Sequence, residues 1–178
     1  MTPEREPNLM KTYVLVLLGL LAVAPAHADG PRVQVIANPT VDKECGACHM
    51  AFQPEFLPAR SWKKLMEPKE LTNHFGEIAT LPEASRAQIE GYLLAHAAGV
   101  APGKESGRVA ASIPENEVPQ RITETGRWLQ KHRPGEVNPA DFQSPRVKSK
   151  ANCQACHKGA SQGLYGDEGG EGSWRFWR

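Results

Sequence analysis

All four cysteines of this 178-residue chain fall in one five-residue pattern, Cys45-Gly46-Ala47-Cys48-His49 and Cys153-Gln154-Ala155-Cys156-His157. Two thiols three positions apart, followed at once by an imidazole, are the arrangement for covalent haem attachment. The thiols add across the two vinyl groups of one porphyrin, and the histidine reaches the iron as its proximal ligand. A chain with four cysteines and six histidines does not produce this pattern twice by chance. The spacing predicts two covalently bound haem c groups, one on Cys45 and Cys48 and one on Cys153 and Cys156, with His49 and His157 as metal ligands. A zinc site would need both pairs brought together and would leave the two histidines unexplained. A thioredoxin-type redox motif is expected beside a βαβ pattern, and the sequence shows none.

The sixth ligand decides what each iron can do. Methionine gives a higher-potential carrier, histidine a low-potential one, and an open position permits binding or catalysis. No histidine or methionine follows His157, so the second iron must look upstream, where His132 is nearest. For the first iron the choices are His74, His96 and Met66, since Met50 adjoins His49 and cannot cross to the opposite face of the same porphyrin. His74 lies 25 residues after His49, and His132 lies 25 before His157. Either separation suits a helix, a turn and a second helix folded over a haem. His96 shares a helix face with Ile89 and Leu93 and remains a competitor, although a histidine on such a face is more often a packed residue. His132 could instead be a solvated histidine favoured by the helix dipole.

The elements that must position these residues read as short helices. A first haem helix is predicted around Val41 to Met50. Ser61 is placed as the N-cap of a segment running to Met66, limited by Pro68. Leu71, His74 and Phe75 stand at i, i+3 and i+4, one face of a short helix that Gly76 can close. Thr80 caps the next helix, with Pro82 near its start and Gly99 past its end. From 101 to 119 the periodicity gives way to Pro, Gly, Ser and charge, which reads as a linker. A helical segment opens at Thr123, carries Trp128, Leu129 and His132, and stops at Pro134-Gly135. The second haem helix is predicted over Lys150 to Lys158. No alternation is long enough to propose a sheet. The fold class is therefore mainly α, with two small c-type haem domains, at 29–100 and 120–178, short helices and long irregular loops.

Lys11, the apolar run from Val14 to Val23 and the small residues Ala26 and Ala28 read as a cleaved signal peptide over 1–28. The run is shorter than the roughly 20 residues a membrane span needs. Asp29 would be the first mature residue, and Glu4 and Glu6 suggest that translation starts at Met10. The implied compartment is the periplasm, where bacterial haem attachment takes place. The net charge of +1 argues against a nucleic-acid partner. With 40% hydrophobic residues the chain is poorly equipped to close two cores unaided, so porphyrin surface must supply part of the packing.

The segments Glu44-Cys45-Gly46-Ala47-Cys48-His49, Leu57-Pro58-Ala59-Arg60-Ser61-Trp62, Asn73-His74-Phe75-Gly76-Glu77, Ile122-Thr123-Glu124-Thr125 with Lys131-His132, and Ala151-Asn152-Cys153-Gln154-Ala155-Cys156-His157 resemble the bacterial dihaem cytochrome c family called DHC. The resemblance covers nearly all of the mature chain in order. It implies two haem domains, bis-histidine ligation with His74 and His132 in the distal positions, and electron transfer. It also implies a soluble monohaem oxygen-binding cytochrome, the sphaeroides haem protein, as partner and a membrane cytochrome b as electron source. The glycine-rich end from Gly166 to Arg178 carries no functional assignment. It reads as a loose tail, with shielding of the second haem by Trp174 or Trp177 as the rival reading.

The alternative function is a dihaem enzyme of peroxidase type with one open iron, a family of much longer chains. A tandem carrier like cytochrome c4 lacks its ligand here, because no methionine follows the second motif. A haem-based sensor has no signalling domain to support it.

Overall fold

The computed structural model describes residues 32–166, so the leader at 1–28 and the tail with Trp174 and Trp177 lie outside the described residues. Among these residues the regular structure is six short α-helices and isolated β-bridges, with 3-10 turns between them.

Helix α1 (Pro39–Cys45) starts where the Asn38 side chain accepts hydrogen bonds from the amides of Thr40 and Val41, with proline at the first helical position. It stops at Gly46, where an added Cβ would stand 2.2 Å from the Asp42 carbonyl oxygen. The helix is therefore earlier and shorter than the predicted Val41 to Met50. Cys48 and His49 leave it on a turn.

Helices α2 (Ala59–Leu65), α3 (Pro68–Leu71) and α4 (Glu83–Ala95) complete the first half. Pro58 sets the backbone before α2 at φ −69°, so the helix begins at Ala59 and the expected cap, Ser61, lies buried inside it. Val41, Leu57, Trp62, Leu65, Met66, Leu71, Ile89 and Leu93 form the core under these helices. The Trp62 indole satisfies its own N–H by donating to the Pro54 carbonyl at 2.7 Å. Helix α3 ends at Leu71, so Leu71, His74 and Phe75 do not share a helical face, and His74 stands on a turn instead. Pro82, rather than Thr80, is the residue at the start of α4.

The segment read as a linker is a packed helix, α5 (Lys104–Ala111). Its buried positions are Glu105, Ser106 and Val109, and Val109 joins Ala98 and Ile113 in a second small apolar cluster. Linker composition misleads here because the buried face uses a serine and a paired carboxylate in place of large apolar side chains. Arg127, just inside α6 (Gly126–Lys131), donates to Glu105 at 2.5 and 2.8 Å. Gly126 lets α6 approach α5 closely, because a Cβ there would meet the Ser112 carbonyl oxygen at 2.6 Å. The expected second haem helix is a single 3-10 turn, Cys153–Ala155, preceded by Asn152 donating from its side chain to the Val147 carbonyl at 3.0 Å.

The halves also meet along a seam of polar contacts. Val33 N–H donates to the Gly163 carbonyl at 3.0 Å. The fully buried Gln53 donates to the Ala160 carbonyl at 2.7 Å and accepts from the Tyr165 hydroxyl at 2.6 Å. The edge of Tyr165 packs on Phe56, with ring centroids 5.0 Å apart.

Burial alone would raise the Glu105 carboxyl, but Arg127 and Arg108 override it and hold the group below the usual carboxylate range. Such a group adds stability above its unfolded pKa and loses it as pH falls through the folded value. Removing the partner of a buried charge costs about 3–5 kcal/mol. Arg127→Ala in the haem-loaded protein is expected to lose about 3 kcal/mol at pH 7 by guanidinium denaturation. That gap should narrow below about pH 4.3, where Glu105 becomes neutral in the unfolded chain and then in the folded one. A gap of constant size down to pH 3 would show that the ion pair is not its source.

Candidate haem sites

His49 follows Cys48 on the turn after α1. Its Nδ1–H points at the Met50 carbonyl at 2.8 Å, and Phe52 stacks on its ring at 4.8 Å between centroids. A hydrogen bond at Nδ1 fixes the tautomer and leaves Nε2 free for a metal.

His74 is presented by a tight turn. Its amide donates to the Glu77 carbonyl at 2.7 Å, the Glu77 amide returns to the His74 carbonyl at 3.2 Å, and the Asn73 side chain accepts from the Gly76 amide at 3.0 Å. The turn uses left-handed backbone at Phe75, φ 56°, and at Gly76, φ 108°. For phenylalanine this conformation is strained. The Arg121 guanidinium lies over the Phe75 ring at 4.1 Å and holds it.

His132 caps the C-terminus of α6. Its Nδ1–H points at the Trp128 carbonyl at 2.9 Å, and its ring lies flat on the Trp128 indole, 4.2 Å away and 12° from parallel. Phe142 stands 6.1 Å from it. His157 leaves the Cys153–Ala155 turn with its amide bonded to the Cys153 carbonyl at 2.8 Å, and Tyr165 lies 5.5 Å from its ring.

These four imidazoles come together as two pairs. The ring centroids of His49 and His74 are 6.5 Å apart with planes 22° from parallel, and those of His132 and His157 are 6.1 Å apart with planes at 90°. Two imidazoles on opposite sides of one metal, each at a bond length of about 2 Å, place their centroids about 6 Å apart. The residues present therefore fit a six-coordinate iron between each pair. Burial and the neighbouring His49 lower the His74 pKa, and burial lowers that of His132 with His157 assisting, so both stay in the neutral form a metal requires.

The candidate ring that faces His49 is that of His74, while the competing candidates lie in other surroundings. The His96 ring stacks on Tyr92 at 4.2 Å, and its Nδ1 contacts the Tyr92 carbonyl at 2.8 Å. Met66 is packed in the core at 5% exposure, too enclosed to reach out to a haem face. Burial, with Glu44 and Asp42, pushes Cys45 up to about 11, and burial, with Cys156, pushes Cys153 up to about 11, the opposite of a reactive CxxC pair. Among the described residues no three His, Cys, Asp or Glu side chains cluster as a metal site, so the two pairs do not converge on one zinc.

Residues 41–165 match the family model for dihaem cytochrome c. The chain belongs to the dihaem cytochrome c family. It carries two c-type haems and is an electron-transfer protein of mainly α fold. A solved dihaem cytochrome c from Rhodobacter sphaeroides is 44% identical at a TM-score of 0.66, covering 74% of this chain and 99% of that one. A dihaem cytochrome c from Shewanella baltica OS155 is 33% identical at a TM-score of 0.56, covering 73% of this chain and 88% of that one. No curated protein sequence matches it.

Sequence reasoning did not find all of this dihaem cytochrome's haem surroundings. The stacking of Trp128 on His132 was within reach, because i and i+4 share a helix face. Phe52, three residues after the first motif, carried a weaker signal. Tyr165 carried none, since only the return of the chain to Gln53 brings it beside His157.

Near-parallel axial imidazoles split the iron d orbitals that share the unpaired electron, whereas perpendicular ones leave them close in energy. The ferric protein is expected to show two distinct low-spin EPR signals, a rhombic one from the His49–His74 site and one of large principal g value from the His132–His157 site. Two identical rhombic signals would contradict the pairing geometry.

Proposed function

We propose that this cytochrome is a periplasmic relay that takes electrons from a membrane cytochrome b and passes them to a soluble monohaem oxygen-binding cytochrome of the sphaeroides haem protein type. The observation that carries the reading is the pair of facing imidazoles at each motif, His49 with His74 and His132 with His157, as the axial ligands. When bound, each haem supplies a one-electron iron couple. Histidines on both faces keep the ligand set the same in both oxidation states, which keeps reorganisation small. His74 and His132 occupy the positions a substrate would need, so the residues favour transfer of electrons over chemistry on a bound molecule.

The apolar leader and the two attachment motifs support an exported protein. A near-neutral polypeptide with six exposed large hydrophobic side chains among the described residues, Phe75 and Leu129 included, suits a small, transient redox interface at the low end of interface size.

His74→Ala is expected to leave both haems attached, since the thioether bonds do not involve it, while converting one iron to a high-spin form. His96→Ala should leave the visible spectrum unchanged. Identical ferric spectra for wild type and His74→Ala would remove His74 from the ligand set. Stopped-flow mixing of the reduced wild type with the co-expressed periplasmic monohaem cytochrome should oxidise both haems rapidly, with rates that fall as salt rises if charges steer the encounter. Slow or absent oxidation, or substantial peroxide turnover with both histidines intact, would favour the enzyme reading.

A further inference from the structure

The two distal histidines differ in how they are held. The His132 ring is fixed at three places: its Nδ1 faces the Trp128 carbonyl at 2.9 Å, its face lies on the Trp128 indole at 4.2 Å, and its backbone closes α6. His74 has no counterpart to the first of these. Its Nδ1 is buried and finds no hydrogen-bond partner. Among the described residues the aromatic rings against it are those of its proposed ligand partner His49 and its chain neighbour Phe75, the latter tilted by 60° at 4.8 Å. Beside it lies a cavity of about 360 Å³ lined by Leu65, Glu70, Asn73, Phe75 and Gln120 together with His74.

A metal-bound histidine ordinarily donates its second N–H to an acceptor, which makes the imidazole more basic and fixes its plane. Where that partner is lost, metal affinity falls by about 10–100-fold. His74 therefore makes the weaker of the two distal bonds, and its ligated position also holds a buried N–H without an acceptor, an unfavourable state that the ring escapes by turning away. The cavity gives it somewhere to go, with the Glu70 carboxylate and the Asn73 and Gln120 amides as polar neighbours there. The turn itself need not move, because Arg121 clamps Phe75.

We propose that His74 is a displaceable ligand, so that the reduced cytochrome reversibly binds one small neutral diatomic molecule of the carbon monoxide and nitric oxide class at the first haem and none at the second. The exchange breaks one iron–imidazole bond and forms one bond to the incoming molecule, with no change in electron count or protonation. The inference rests on bis-histidine ligation of the first haem by His49 and His74.

Carbon monoxide titration of the dithionite-reduced holoprotein tests it. The wild type is expected to bind one equivalent per two haems in a slow phase limited by release of His74, with an affinity about 10–100-fold above that of any second site. His74→Ala should bind one equivalent in a fast phase and lose the slow one. His132→Ala should bind two, one fast and one slow at the wild-type rate, and this variant decides the matter alone if His74→Ala does not accumulate haem. A wild type that stays low-spin and takes up no carbon monoxide overturns the proposal while leaving the ligand assignment intact. So does a slow phase that survives in His74→Ala. An unchanged ferric spectrum in His74→Ala would instead bring down the ligand assignment beneath it.

Discussion

Two nitrogens must face each other along one line, about 4 Å apart, for a single iron to accept both. Under the proposed bis-histidine ligation that constraint is met twice in this chain, and each time its two ends come from separate segments. One end is fixed by covalent attachment, because a histidine that follows directly on Cys48 or Cys156 has little freedom in where it points. The other end must be delivered by the fold. The first half delivers it from a turn at 74–77 anchored through α3, and the second from the C-cap residue just past α6.

The attachment residues were fully legible, since their chemistry requires adjacent residues of fixed type. Symmetric spacing selected His74 and His132 from the other candidates, and the structure brings both opposite their proximal histidines. Local pattern alone could not have done so. His96 and His132 are near copies, each ending a helix, each with Nδ1 at the carbonyl four residues back, each stacked at 4.2 Å on the aromatic residue there. What separates them is that His132 has a second histidine, His157, 6.1 Å away, and that is a tertiary fact.

The errors share a cause. The segment at 104–111 read as linker because Glu105 and Ser106 looked like surface residues, and their burial depends on Arg127, 22 positions beyond Glu105. Gln53 and Glu55 are buried in the same way, at 0% and 2% exposure, because a glutamine bridges to the other half and a glutamate accepts the Gln34 amide at 2.6 Å. Buried polar groups are satisfied by remote partners, and a window along the sequence does not contain those partners.

The seam between Val33 and Gly163 also orders events in time. Its N-terminal side is synthesised first and its partner last, and Gln53 must wait for Tyr165, 112 residues further on. Contacts of such separation close late, after the local turns have formed. The second motif keeps Cys156 exposed even with the seam formed. Gly163 makes the closure possible, with φ 74° and no Cβ where one would stand 2.2 Å from the Val33 carbonyl oxygen. A side chain at that position would push the two ends of the described chain apart at the Val33–Gly163 hydrogen bond.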